Sequence, residues 1–339
     1  MNARSAHVSH DLPHAEARFH SSLAKDFAAY LALKRALGRK FGNEEKVLRH
    51  LDRFLARRFP QALDISVPVL DAWMAENPLL QARSRATRLR VVRPFCLFRR
   101  RTTPSAFVLD RVRHRTLWPV RLARRVPFIF TTAQVRALLR AALALPGTPG
   151  NPARPDMVFT LLLLLYTTGL RLSEAVRLRA GDVDFEAGTL LVRETKFFKT
   201  RIVPVALDVL ERLRAVVREE DARVECPLFH RGDGRRPYCV TTIGALGCQL
   251  LRSCGLKPPT GRGGARLHDL RFTFAVHRIV KWYEEGADVQ SLLPQLATYL
   301  GHRDIVSTQY YASVTVEMLA SAGRRFENAC SPSYRENLP

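Results

Sequence analysis

The stretch Met157-Val-Phe-Thr-Leu-Leu-Leu-Leu-Leu-Tyr166-Thr-Thr-Gly-Leu-Arg171-Leu-Ser-Glu174 sets the fold. Met157 to Tyr166 is the most apolar run of the chain, yet it is about half the length a bilayer crossing needs. It reads as a helix buried inside a packed domain. Thr167-Thr168-Gly169 follows, and a second helix runs from Arg171 or Leu172 to Leu178. An arginine and a glutamate three residues apart therefore stand at the mouth of a hydrophobic helix pair.

Downstream lie the convincing strands. Thr189 to Arg193 and Arg201 to Val205 flank Glu194 to Thr200, and with Asp182 to Phe185 they make a small hairpin or three-stranded sheet. Helices resume at 206–220, 240–254, 269–285, 289–300 and from Ser307 into the tail. Upstream, Thr131 or Thr132 caps a helix over 133–144. Residues 113–130, with Pro119 and Pro127, have little periodicity and read as a linker. The first region is all-helical, with helices expected near 18–37, 43–58 (Asn43 as cap), 69–76 and 84–99. The expected divisions are a tail at 1–15, a helical domain at 16–115, a linker at 116–130, a second domain at 131–327 and a tail at 328–339.

Composition narrows the partner. The 339 residues hold 54 Lys and Arg against 31 Asp and Glu, a net charge of +23. Hydrophobic residues make up 47 %, enough for real cores. Such a charge calls for a polyanion, nucleic acid before an anionic membrane. It is also uneven. Residues 1–125 hold 26 basic and 10 acidic residues, and between Arg83 and Arg125 there are 14 Arg and the single acid Asp110. A solvated face usually mixes signs, whereas a face that tracks phosphates does not. Arg83, Arg85, Arg88, Arg90, Arg93, Arg99, Arg100 and Arg101 are the expected DNA-contacting set. Six cysteines form no CxxC pair, so neither a zinc site nor a disulfide framework is indicated. They read as reduced thiols in a cytoplasmic protein. No signal core or membrane segment stands out.

Four segments fall into a known order. Tyr166 to Glu174 resembles the first Arg box of tyrosine recombinases, the phage-integrase and Xer-like superfamily. Thr195-Lys196-Phe-Phe-Lys199-Thr-Arg201-Ile-Val-Pro204 resembles its β-hairpin lysine segment, His268-Asp-Leu-Arg271 its HxxR box, and Leu300-Gly-His302 followed by Tyr311 its closing motif. The resemblance runs from about 166 to 315 and adds the expectation of a nucleoid-associated, prokaryotic-type setting. It implies a mainly α fold with a small β-sheet, in which a helical SAM-like core-binding domain and an α+β catalytic domain form a C-shaped clamp on DNA. The interval between Arg271 and His302 is longer than in the simplest Xer-like members and is similar to that of recombinases of mobile elements.

The chemistry stands beside the resemblance. A phosphodiester is cleaved without a metal if a nucleophile attacks phosphorus while cations hold the non-bridging oxygens. Arginine suits this role because its planar fork donates two parallel hydrogen bonds and stays charged. Arg171 and Arg271 would clamp the phosphate, with Glu174 supporting them. His268, three residues before Arg271, shares its helix start. Lys196 would protonate the leaving 5′ oxygen, with Lys199 competing for the role. Tyr311 would be the nucleophile, with the adjacent Tyr310 as alternative, and His302 would add a hydrogen bond. His277 reads as structural. The resemblance implies a 3′-phosphotyrosyl intermediate, a Holliday junction, no metal, no cofactor and no ATP. The implied partners are double-stranded DNA with specific recombination sites, a homodimer on one site, a tetramer in synapsis and companion recombinases, with no membrane. Two other readings remain: a type IB topoisomerase-like nicking-closing enzyme, and a catalytically silent DNA-binding accessory protein. The apolar face after Tyr311 packs either on its own core or on a neighbouring protomer.

Overall fold

In the computed structural model, the described residues are 19–118, 125–193, 200–217, 225–232, 236–261, 263–302, 308–313 and 315. The chain divides into two compact units, Met1–Arg125 and Val126–Pro339. Leu117 is buried in the core of the first, while Phe128 and Phe130 pack into that of the second.

The first unit is built from α1 (Ala24–Ala36), α2 (Gly42–Arg58), α3 (Val67–Ala75) and α4 (Ala82–Arg99). Its core holds Phe27, Leu51, Phe54, Trp73, Leu89, Val92 and Phe95, all essentially inaccessible to solvent. Each such side chain contributes about 1.5–3 kcal/mol on leaving water. Phe27 and Phe95 stack at 4.3 Å. Helix starts differ from the sequence reading. Asn43 does not cap α2, because Phe41 holds that place in a left-handed conformation. Ser66 caps α3 by accepting from the Val69 N–H, and Pro68 sits in the first turn, where a missing N–H costs nothing. Asp52, fully buried, accepts the N–H groups of His20 and Ser21 at 2.9 Å and so fixes the approach to α1.

The second unit opens with α5 (Thr132–Leu143), whose cap Thr131 forms a capping box with Gln134. Next come α6 (Arg154–Thr168), the short α7 (Leu172–Ala175), β1 (Val183–Asp184), β2 (Thr189–Val192) and β3 (Arg201–Pro204). They are followed by α8 (Leu207–Val216), α9 (Val240–Ser253), α10 (Asp269–Glu284) and α11 (Val289–Leu300), and 308–313 is again helical. The sheet is antiparallel in the order β1-β2-β3, with Leu190 opposite Val203 and Val192 opposite Arg201. Leu190, Val192 and Val203 point into the core. The apolar α6 lies at the centre, packed on α5, α8 and α10. Its Leu161, Leu162, Leu164 and Leu165 are all buried. Among the described residues no helix is long and apolar enough to cross a membrane.

Two glycines close the helices that carry the site. Gly169 ends α6 and Gly301 ends α11, both left-handed at φ 62° and 68°. A Cβ at Gly169 would lie 2.6 Å from the Phe274 ring, so both space and backbone demand glycine there.

Candidate active site

Arg271 is the centre of the arrangement. It lies in the first turn of α10, is 2 % exposed, and donates to the Gly169 carbonyl at 2.8 Å and the Leu300 carbonyl at 2.7 Å. Both acceptors are end-of-helix carbonyls that would otherwise lack a partner. No carboxylate salt bridge to Arg271 occurs among the described residues. Burial, then the charge of Arg171, pulls its pKa down to about 10, while the Tyr311 hydroxyl and Glu174 oppose the fall. Tyr311 therefore lies close enough to Arg271 to act on it electrostatically. A buried guanidinium, short of countercharge, thus faces a phenol.

Tyr311 is itself 4 % exposed. Its ring stacks on His302 at 5.5 Å and meets the edge of Phe272 at 4.8 Å. His302 follows the left-handed Gly301, and its Nδ1 lies 2.7 Å from the Thr308 hydroxyl. Tyr310 is only half-buried, and its ring lies farther from Phe272, at 6.3 Å. Of the two tyrosines, Tyr311 is the buried one and acts on the charge of Arg271. His268 caps α10 and packs edge-on against Phe272 at 5.6 Å. Burial lowers its pKa first, followed by Arg271, so it is biased towards neutral imidazole. Arg171 lowers it too, which places His268 within the field of both arginines.

Arg171 caps α7 and donates to Glu174 Oε1 at 2.6 Å. Glu174 also accepts the Arg171 backbone N–H, at 3.1 Å. Its other partner escaped the sequence reading. Arg201, at the start of β3, donates from Nη2 to Glu174 Oε2 at 2.8 Å and from Nε to the Tyr299 carbonyl at 3.0 Å. Burial pushes the Glu174 carboxyl up, but Arg201 and Arg171 outweigh it and hold the pKa near 2. The sequence signal for Arg201 was its place in the hairpin motif, where it served only to set spacing. Lys196 and Lys199 lie outside the described residues. His277 contacts the Tyr166 hydroxyl at 3.1 Å and the Phe130 backbone, a structural tie between helices.

The expected DNA-contacting set in the first unit divides. Arg83, Arg90, Arg93, Arg100 and Arg101 are exposed. Arg85 and Arg88 are half-buried, and Arg88 lies over the Trp73 ring at 4.8 Å. Arg99 is a correction. It is 6 % exposed, pairs with Asp26 at 2.6 Å and with Asp64, and donates to the Leu63 carbonyl at 2.9 Å. Its donors are committed inside the unit, so it does not belong to a phosphate-contacting face.

A buried tyrosine against one arginine, with a second arginine and two imidazoles near it, is thus assembled on a mostly helical unit with a three-stranded sheet. The family model of the phage integrase family matches residues 130–318. "Putative integrase/recombinase y4rB" of Sinorhizobium fredii is 34 % identical over 88 % of this chain and 95 % of its own length. Tyrosine recombinase XerA of Thermococcus onnurineus is 32 % identical over 61 % of this chain and 65 % of its own. Among solved structures, a lambda integrase dimer bound to a COC′ core site shares the fold at TM-score 0.57 and 18 % identity, covering 90 % of this chain and 81 % of that one. The Tn1549 transposon integrase in complex with transposon right end DNA does so at 0.58 and 16 %, covering 87 % and 99 %. The chain belongs to the phage integrase family of tyrosine recombinases.

Proposed function

We propose that this protein cuts and rejoins DNA at specific sites through a covalent 3′-phosphotyrosyl intermediate. The observation that carries the reading is the buried, carbonyl-held Arg271 with the buried Tyr311 beside it, near enough to act on its charge. The Tyr311 hydroxyl gives up its proton to water as its oxygen attacks phosphorus, the bond to the 5′ oxygen breaks, and that oxygen takes a proton supplied by Lys196. Arg171 and Arg271 hold the two non-bridging oxygens, and His268 and His302 add hydrogen bonds as charge builds. Reversal by a 5′ hydroxyl from a second duplex restores the phosphodiester and the free phenol. The ester conserves the energy of the broken bond, so the cycle asks for neither ATP nor a divalent ion. Two copies on each site and four in synapsis fit a reaction that passes through a Holliday junction. The interval between Arg271 and His302 supports service to a mobile element, in the cytoplasm and on nucleoid DNA.

The test is trapping. A pool of nicked duplexes with randomised sequence is incubated with the full chain in EDTA, and the DNA left covalently on protein is sequenced. Recovery of a common sequence that vanishes with Tyr311→Phe supports the reading. Absence of any adduct from the pool, or an adduct that survives Tyr311→Phe, overturns it.

A further inference from the structure

Arg201 sits where three segments of the site meet. It begins β3, directly after the segment that carries Lys196. Its Nη2 holds Glu174, the same carboxylate that grips Arg171 by side chain and backbone. Its Nε holds the carbonyl of Tyr299 in the last turn of α11. Its remaining nitrogen, Nη1, is buried without a hydrogen-bond partner among the described residues. That end of the guanidinium fills the space beside Gly301, where a Cβ would stand 3.0 Å from Nη1. Gly301 immediately precedes His302. The side chain is 12 % exposed, so it is sealed from any bulky ligand.

We propose that Arg201 is a positioning residue for strand cleavage: through Glu174 it sets the Arg171 guanidinium, and through Tyr299 and Gly301 it sets the turn that bears His302. The proposal rests on the recombinase reading and deepens it. Glu174 has two oxygens and two arginines. With Arg201 on Oε2, Oε1 remains for Arg171, and the fork of Arg171 is turned to leave its other donors for substrate. Without Arg201, the carboxylate is free to rotate and can take both Arg171 donors in a bidentate pair, withdrawing them from the phosphate. It also loses the cation that does most to keep it ionised in a buried place. Lysine at 201 keeps the charge but has no planar fork, so it cannot reach Glu174 and the Tyr299 carbonyl together in the same geometry.

The experiment uses the full chain and the nicked duplex trapped on wild-type protein from the randomised pool. Arg201→Ala should slow single-turnover cleavage by about 10²-fold, the loss expected from misplacing a reacting group by roughly an ångström. DNA affinity should stay within about twofold, since Arg201 does not face the ligand. Arg201→Lys should recover about tenfold of the loss. A carboxyl titration by carbon-13 NMR, with Glu174→Gln for assignment, reads the state of Glu174 without DNA. The Glu174 signal should stay constant between pH 4 and 7 in wild type and titrate in Arg201→Ala and, less, in Arg201→Lys. Wild-type cleavage by Arg201→Ala, a loss of cleavage matched by loss of DNA binding, or an unchanged carboxyl signal overturns the proposal. If Arg201→Ala does not fold, the same readouts on Arg201→Lys decide. If no duplex is trapped by the wild type, the recombinase reading falls, and an unshifted Glu174 in the NMR would separately remove the Arg201 link.

Discussion

Among the described residues, each unit of this protein buries one arginine almost completely, and the two are neutralised in opposite ways. Arg99, in the helical first unit, is surrounded by Asp26, Asp64 and the Leu63 carbonyl. Arg271, in the second, is held by two carbonyls and faces a phenol. The first is a finished ion cluster that ties α4 to the chain before α3. The second is an unfinished one. Burying a guanidinium short of countercharge costs free energy, and proteins retain such a feature where an incoming anion completes it. Residue type alone does not separate the two cases; the acceptors do.

Tyr311→Phe is the sharpest way to break the comparison. It removes the nucleophile and leaves the cations, so adduct formation should fall by about 10⁴-fold or more while DNA binding persists. A gel assay for the covalent complex checks this, and equal loss of binding would show that the phenol serves the fold instead. Arg271→Ala should lower cleavage by about 10³-fold in single-turnover kinetics, as removal of a charge-stabilising donor does. Arg99→Ala should leave cleavage chemistry intact yet destabilise its unit by about 1–3 kcal/mol in thermal unfolding, a figure discounted because Asp26 and Asp64 are each over a third exposed. Should Arg99→Ala instead behave like Arg271→Ala, the two burial sites would not differ in kind.

Glu174 gives the comparison a pH axis. Its folded pKa of about 2 lies below the ordinary 4.5, so its stabilisation is fully present above pH 4.5 and is lost as pH falls towards 2. Glu174→Gln should cost on the order of 3 kcal/mol at neutral pH. Its deficit against wild type should close across that acid window in denaturant melts. A deficit that persists unchanged at low pH would mean that the carboxylate charge is not what stabilises the turn. The smallest effect is expected at the exposed arginines. Arg90→Ala or Arg93→Ala should alter stability by less than about 0.5 kcal/mol and reduce the salt slope of DNA binding by about 0.9 each. Filter binding over a salt series measures it.

Much of this was legible in the sequence. The apolar run ending at Tyr166 lies in α6, β2 and β3 fall within the expected 189–193 and 201–205, and the motif resemblance named Arg271, His302 and Tyr311, which the fold sets close together. What was not legible depends on partners remote in the chain. Arg90 and Arg99 occupy one helix and one arginine-rich run, but only Arg99 meets Asp26 and Asp64, which stand 73 and 35 residues away. Arg201 was read for its spacing, because its partners Glu174 and Tyr299 come from different elements. Asn43 has the chemistry of a helix cap, yet α2 starts one residue earlier on a left-handed Phe41, a backbone choice that local propensity disfavours.

The two carbonyls on Arg271 have one more consequence. Both close helices, α6 at Gly169 and α11 at Leu300, so each brings the negative end of a peptide macrodipole to the guanidinium. Such half-charges have no proton to gain. An acid pulse that would discharge a carboxylate leaves them intact, and no competing cation can carry them off. The anchor of the site is thus made of main chain, which side-chain mutation at Gly169 or Leu300 can displace but cannot delete.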